Sequence, residues 1–298
     1  MRFAVPIPQH TTEGAFDTGR AAAFLRRAEE LGFHSAWVQE TGIGPVPTLG
    51  PAETLAFAAA HTRRMRLGAA VFIGPHHLPV QLAKSVASLD VLSGGRMETG
   101  IALGPKNHLA AFGASPEGLV ARFTEGIRLM KACWTQDRVT FDGRFWRLAD
   151  AAIGPRPLQR PHPPLWMGGH HPAALRRAVR YGDGFFGAGG ASTAEFAAHV
   201  RTVRAELDAA GRDPATFSVA KRVYVHIDEN AGRARAAVAG PLEKLYGRTD
   251  TAVCGPVSAC VEGLRQVADA GAELILLHPV ADEEGQLERL AAEVVPLL

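Results

Sequence analysis

A pair of glycines between a predicted strand and a predicted helix is the clearest chemical signal in this sequence. Residues 166–172 read WMGGHHP, and a helical pattern follows Pro172. Glycines let backbone amides approach an anion closely, and a helix N-terminus adds a favourable dipole. The segment therefore predicts a phosphate-binding turn, although the two glycines are equally compatible with a tight strand-to-helix turn alone. Residues 187–190, GAGG, form a weaker version of this pattern.

Histidine and carboxylate side chains are the candidates for acid–base chemistry. The histidines at 76–77 and at 170–171 are adjacent pairs. On extended backbone the two side chains of such a pair point in opposite directions, so they do not favour a shared metal ion. A carboxylate near a strand end could act as a general acid or base, or serve as a helix cap or salt-bridge partner. The carboxylates near the first two predicted strand ends are Glu13, Glu40 and Glu53.

Strand-length apolar runs alternate with helical patterns about eight times along the chain. Eight such units in 298 residues favour an α/β fold, the closed (β/α)8 TIM barrel. An open doubly wound sheet is less consistent with the sequence, because no glycine-rich fingerprint follows the first strand. In such barrels the functional residues lie at the C-terminal ends of the strands. The predicted strands cover residues 3–7, 35–40, 65–73, 97–103, 165–167, 184–188, 217–227 and 273–277.

The regular alternation is interrupted between the fourth helix and the fifth strand. Residues 139–146 predict a hairpin, because Asp142-Gly143 supplies the positive φ of a tight turn. A proline-rich connector follows over residues 153–164. We therefore expect one barrel domain over residues 1–298, with residues 137–164 as an insertion lying over it.

Composition excludes several other classes of protein. The formal net charge is +2 and the arginines are scattered, which does not favour a nucleic-acid binder. No apolar run approaches the ~20 residues of a membrane span, and no signal peptide is evident, so we expect a cytoplasmic protein. Three cysteines without a CxxC motif predict buried thiols, neither disulfides nor a zinc site. The absence of GxSxG argues against a serine hydrolase.

Several segments together resemble one enzyme family. Residues 89–96, LDVLSGGR, are similar to the LDRLSGGR segment of the luciferase-like flavin-dependent oxidoreductases. Residues 155–169, PRPLQRPHPPLWMGG, resemble their RPxQxPHPPIWIGG segment. The similarity runs in order through the whole chain and is greatest to the single-chain branch that uses the deazaflavin coenzyme F420. It implies a barrel with the flavin ring at the C-terminal ends of the strands.

The resemblance also implies roles for particular residues. Glu40 matches an acidic residue that contacts the cofactor ring, and Ala70-Val71 matches a pair joined by a cis peptide bond behind that ring. The cofactor's phosphate and side chain would be held by the amides of residues 167–169. The full set of expected cofactor-binding residues is Glu40, Ala70, Val71, Gly104, Met167, Gly168, Gly169 and His170.

Two departures from the family pattern affect the expected reaction. Thr41 stands where the sugar-phosphate dehydrogenases of the family have a catalytic histidine, and Pro105 stands where they have an acidic residue. The proton donor must therefore be sought elsewhere, among His108, His76 and His10, with Glu40 as the remaining candidate. Of the histidines we favour His108, because Pro75 would turn His76 outward.

The sequence thus predicts an oxidoreductase that passes hydride between F420 and a small organic substrate. An FMN-dependent monooxygenase fed by a separate flavin reductase is the alternative, and a non-catalytic flavin-binding protein is a second one. The family resemblance also implies a homodimer. The second helix, with alanines at 56 and 58–60, offers a face on which two helices could approach closely.

Overall fold

A computed structural model describes residues 1–11, 15–44 and 46–298. Glu13, one of the carboxylates noted above, lies outside the described residues. Eight parallel strands form a closed barrel, which confirms the predicted TIM barrel. They are β1 (Arg2–Pro6), β2 (Ser35–Val38), β3 (Arg66–Ile73), β4 (Met97–Ala102), β7 (Leu165–Gly168), β8 (Gly184–Gly187), β9 (Ser218–Ile227) and β11 (Leu274–Pro279).

Hydrogen-bonded pairing closes the sheet at two junctions. The strand order is β11-β1-β2-β3-β4-β7-β8, and β9 pairs with both β8 and β11. Phe3 of β1 is in register with Ile275 of β11, and Phe185 of β8 with Val219 of β9. Because all eight strands run in parallel, their C-terminal ends form a single ring.

The sequence analysis did not predict one short strand. β10 (Ala252–Gly255) pairs in parallel with β9 from Tyr224 to Ile227, beyond the residues that pair with β8. β9 has ten residues and β8 has four, so the end of β9 would otherwise leave backbone groups unpaired on that edge. A four-residue apolar run does not reveal this role in the sequence.

Helices follow the barrel strands and cover the outside of the barrel. They are α1 (Thr18–Glu30), α2 (Pro51–His61), α3 (Pro79–Leu92), α4 (Leu119–Thr135), α5 (Pro172–Tyr181), α6 (Thr193–Ala209), α7 (Ala231–Tyr246), α8 (Val257–Asp269) and α9 (Glu283–Arg289). Ala58 and Ala59 of α2 are buried in the core of their own barrel. These two alanines therefore do not belong to a face that could pack against a second copy of the chain, contrary to the expectation from the sequence. Among the described residues, no helix is long and apolar enough to cross a membrane.

The predicted hairpin forms from β5 (Val139–Asp142) and β6 (Arg147–Ala151), which pair antiparallel. A carboxylate of α4 fixes its turn. Glu125 is 4% exposed and accepts hydrogen bonds from the backbone amides of Arg144, Phe145 and Trp146. The hairpin is therefore held against α4 at a defined position.

A second buried carboxylate holds the proline-rich connector. Asp90, in the LDVLSGGR segment of α3, is fully buried. Its side chain accepts hydrogen bonds from the backbone amides of Leu158 and Gln159, at 2.7 and 3.0 Å, and from the Gln159 side-chain amide at 2.7 Å. In the same segment, Arg96 donates to the carbonyls of Met65 and Ser93. This segment therefore stabilises the scaffold and leads the chain correctly into β7.

Aromatic side chains fill the barrel below its C-terminal mouth. Trp37 of β2, Trp166 of β7 and Phe186 of β8 contact one another edge to face, with ring centroids 4.9 to 6.0 Å apart. All three are less than 5% exposed. The barrel is consequently packed in its interior and open only above this layer.

We expect Asp90→Ala to destabilise the fold by about 3 kcal/mol or more, because several buried amide donors lose their acceptor. The measurement is the shift in the urea midpoint of unfolding. Asp142→Ala is the matched control, since Asp142 contacts Arg147 on the exposed hairpin and should change stability by less than about 0.5 kcal/mol. Equal, small effects of the two substitutions would contradict the role assigned to Asp90.

Candidate functional site

A cleft of about 770 Å³, including the solvent at its mouth, opens at the C-terminal end of the barrel. Most of its lining comes from the C-terminal ends of strands, which accords with the rule that barrel chemistry occurs there. The principal lining residues are 39–40 after β2, 70–71 in β3, 104–105 after β4, 168–169 at the end of β7, 186–189 at the end of β8, and Arg222 in β9. We refer to this site as the cleft.

Glu40 lies in the cleft wall with its carboxylate largely buried and hydrogen-bonded. It accepts from the Ile73 backbone amide at 2.5 Å, and the Nε2 atom of His77 lies 2.9 Å from its Oε1 atom. The side chain is 9% exposed. The end of β2 is thus connected to the end of β3, and the carboxylate has one fixed orientation.

The bulge in β3 forms the back of the cleft. The peptide bond between Ala70 and Val71 is cis, as predicted, and both residues line the cleft. The register of β3 against β4 shifts between Ala69 and Phe72. Gly100 of β4 allows this close approach, because a Cβ atom there would lie 2.1 Å from the carbonyl oxygen of Ala69.

Glycines also leave space in the cleft. Gly104, Gly168 and Gly169 all line the cleft. Gly169 has a backbone φ of +145°, which residues with a side chain rarely adopt. A Cβ atom at Gly168 would lie 3.2 Å from both Ala102 and Val71, so any side chain there would reduce the cleft. Of the expected cofactor-binding residues, the structure therefore brings together Glu40, Ala70, Val71, Gly104, Gly168 and Gly169.

Two expected cofactor-binding residues lie outside the lining of the cleft. Met167 is 1% exposed and is paired with Ile101 on one side and Phe185 on the other. His170 is exposed after Gly169. The sequence placed both correctly at the end of the fifth barrel strand, but it did not show which atoms face the cleft.

The three candidate histidines occupy different environments. His76 is turned inward, with a side chain 5% exposed and stacked on Phe112 at a centroid distance of 3.7 Å, so the expectation that Pro75 turns it outward is wrong. Its Nδ1 atom lies 3.9 Å from Oε1 of Glu40, and burial lowers its pKa. His108 is exposed, with a φ of 64°, and lies outside the cleft lining. His10 borders a smaller cavity on the far side of Arg222.

Arg222 is the main site residue that the sequence analysis missed. It is 7% exposed and donates hydrogen bonds to Oε1 of Gln39 at 2.6 Å and to the carbonyl of Ala70 at 2.8 Å. Within the described chain it has no carboxylate within 4.0 Å. The available signal was the pair Lys221-Arg222 inside an otherwise apolar strand, since charged residues are seldom buried without a partner.

Lys221 supports the cleft from behind. It is 1% exposed, and its Nζ atom donates to the carbonyls of Ala188 and Ala191 at 2.6 and 2.7 Å. Burial, followed by the nearby charge of Arg222, lowers the pKa of Lys221 to about 7. The turn after β8 is therefore held in place by a buried side chain of β9.

The cleft combines three chemical properties. The peptide at residues 70–71 and the ring of Phe186 offer apolar surface, the glycines leave room for a chain, and Arg222 supplies a positive charge without a counter-ion. These properties suit a planar ring system that carries an anionic substituent. In the described parts of the chain, no group of three or more potential metal ligands is close enough to hold an ion.

Comparisons with known proteins agree with this geometry. The family model for luciferase-like monooxygenases matches residues 1–293. The chain is 30% identical to an F420-dependent glucose-6-phosphate dehydrogenase of Beutenbergia cavernae, over 93% of this chain and 92% of that one. It is 27% identical to the enzyme of the same name from Kineococcus radiotolerans, over 95% and 94%. An FMNH2-dependent dimethylsulfone monooxygenase of Pseudomonas putida is 33% identical, over 62% and 51%.

Solved structures show the same fold. An F420-dependent secondary alcohol dehydrogenase superposes with a TM-score of 0.86 at 18% identity, covering 99% of this chain and 98% of that one. A monooxygenase from Streptomyces bottropensis gives 0.84 at 24% identity, covering 99% of each chain. With the family model matching nearly the whole chain, this protein belongs to the luciferase-like monooxygenase family and is an oxidoreductase.

Proposed function

We propose that this enzyme transfers a hydride between F420 and a small organic substrate. The observation that carries the proposal is the cleft itself, which joins an apolar surface at residues 70–71 to glycine-lined space and an unpaired Arg222. The relatives named as F420-dependent dehydrogenases match more than nine tenths of this chain. The deazaflavin, when bound, supplies or accepts the hydride at C5, and the protein contributes position and protonation.

The cleft residues would divide this work by their chemistry. Ala70, Val71 and Phe186 offer surfaces against which a ring can lie, while the barrel floor below them excludes water. Gly104, Gly168 and Gly169 leave room for the side chain and phosphate of the cofactor. Arg222 faces the cleft with a permanent charge, which stabilises an anionic group nearby.

Reduction of a carbonyl group requires a proton as well as the hydride, and we propose that Glu40 carries it. Glu40 is the carboxylate that lines the cleft, and His77 holds it in one orientation. A fixed acid within reach of the substrate is the requirement for general acid catalysis. His108 stays a second candidate, at the exposed loop after β4.

The substrate is proposed to differ from a sugar phosphate. Thr41 and Pro105 replace the histidine and the acidic residue of the sugar-phosphate dehydrogenases, and Pro105 lines the cleft.

FMN-dependent monooxygenation with a separate reductase is the second candidate function, supported by the Pseudomonas putida relative. The enzyme names of the relatives lead us to set aside the non-catalytic alternative.

We expect the purified protein to bind F420 more tightly than FMN, because the cleft offers space and positive charge for a long anionic side chain. Titration of the cofactor-free protein, followed by the absorbance of the bound cofactor, measures both dissociation constants. Gly168→Val tests whether the cofactor binds in the cleft. It should weaken F420 binding by at least ~10-fold, since a side chain there meets Val71 and Ala102. A lower dissociation constant for FMN would reverse the cofactor assignment.

Glu40→Gln should lower kcat by ~100-fold or more, because general acid–base groups contribute about that much to turnover. The amide keeps the size of the side chain and one acceptor oxygen for the Ile73 amide, but it cannot release a proton at this position. His108→Asn is the comparison and should leave kcat within about 2-fold. The measurement is steady-state turnover once a substrate has been identified. Loss of turnover in His108→Asn alone would move the proton donor to the loop after β4.

We also propose that residues 1–298 form a single domain, that two copies of the chain form a homodimer, and that the dimer is located in the cytoplasm. The proposal rests on the family resemblance, with Ala56 and Ala60 as the two of the four expected alanines that are not fully buried. Light scattering of the purified protein at micromolar concentration should give twice the chain mass of 31.7 kDa. A mass equal to one chain would refute the dimer.

A further inference from the structure

A second cavity lies beside the cleft, between the start of α3, the length of α4 and the hairpin. It measures about 730 Å³, including the solvent at its opening, and we call it the side chamber. Its walls are mostly apolar, with Leu82, Ile101, Leu119, Phe123 and Met130 among the lining residues. It meets the cleft along residues 73–77, and Glu40 on the cleft side approaches His76 on the chamber side.

Two side chains in the wall of the side chamber, His76 and Trp146, have polar atoms without a hydrogen-bond partner among the described residues, and the half-exposed Arg122 lies beside them. Both ring nitrogens of His76 and the Nε1 atom of Trp146 are completely buried and unpaired. The guanidinium of Arg122 stacks over the Trp146 ring, 4.2 Å from its centroid, and has no carboxylate within 4.0 Å in the described ranges. Buried polar groups are normally paired, so two unpaired side chains in the wall of one cavity, with a cation beside them that lacks a carboxylate partner, point to a ligand.

These groups are held firmly in place. Glu125 accepts hydrogen bonds from the backbone amides of Arg144, Phe145 and Trp146, which fixes the backbone that carries the indole relative to α4. His76 is stacked on Phe112. A molecule that enters the chamber would supply the hydrogen-bond partners that these side chains lack.

We propose that the side chamber binds an apolar ring compound that carries a carboxylate. The apolar walls contact the ring, the Trp146 N–H and the Arg122 guanidinium donate hydrogen bonds to the carboxylate, and His76 lies in the inner wall. Arginine and indole N–H groups donate but do not accept hydrogen bonds, and the charge of arginine makes its hydrogen bonds to an anionic oxygen stronger than those to a neutral one. This site goes beyond the proposed function, because binding there requires neither cofactor nor turnover.

The test is calorimetric titration of the cofactor-free protein with 2-naphthoate and with the uncharged 2-naphthamide. We expect saturable 1:1 binding of naphthoate. Arg122→Met keeps the aliphatic part of the side chain and removes its charge. It should weaken the binding of naphthoate by at least ~10-fold and the binding of naphthamide by less than about 2-fold. Ala114→Phe, which fills the chamber, should abolish the binding of both compounds.

Arg144→Met is the matched control. Arg144 also lies over a ring of the hairpin, Phe145, but it is exposed and does not line the chamber, so naphthoate binding should be unchanged. Thermal melting confirms that each variant is folded. Naphthoate binding that is insensitive to both Arg122→Met and Ala114→Phe would place the ligand elsewhere and overturn the proposal. Absence of saturation up to about 1 mM would also overturn it, and neither result bears on the cofactor titration of the cleft.

Discussion

The hydrogen-bonded closure of the barrel is the constraint on which the site depends. Pairing of β1 with β11 and of β8 with β9 turns an open sheet into a ring whose C-terminal ends converge. Gln39 and Arg222 are 183 residues apart in sequence, yet closure brings their side chains to 2.6 Å. Without it, the residues of β2, β3, β7 and β9 would not surround a common space.

A positive charge without a carboxylate partner among the described residues also distinguishes the cleft. Lys221 and Arg222 are neighbours in β9, and their side chains point to opposite faces of the strand. Lys221 faces the turn after β8, and the cost of burying its charge appears as a pKa lowered to about 7. Arg222 lines the cleft and has no carboxylate within 4.0 Å among the described residues, so the cleft favours an anion.

Buried carboxylates hold two segments of the scaffold in place. Asp90 holds the proline-rich connector, and Glu125 holds the turn of the hairpin, each through several amide hydrogen bonds. Amide donors satisfy a buried carboxylate without a salt bridge and fix the backbone that supplies them. The segment most similar to the family motif, residues 89–96, thus acts mainly through structure. The cleft and the side chamber are shaped by chain segments that these two side chains position.

The sequence alone determined the order of the eight barrel strands, the hairpin and the strand ends at which the cleft occurs. These features follow from local patterns, namely the lengths of apolar runs and the turn residues between them. It also indicated Glu40 and the glycines at 168–169, because residue type and position at a strand end are visible in one dimension. The family resemblance supplied the cis peptide bond at Ala70-Val71, which no local pattern would have suggested.

Only the tertiary structure decided which side chains face the cleft and which are buried behind it. Met167 and Gly168 are adjacent in β7, yet the Met167 side chain is buried and Gly168 lines the cleft. His76 turns inward because Phe112, from the next loop, offers a ring to stack on. Arg222 enters the site because β9 closes the barrel beside β8. Each of these outcomes depends on contacts between distant segments, and the free energy of such contacts is not encoded in the neighbouring sequence.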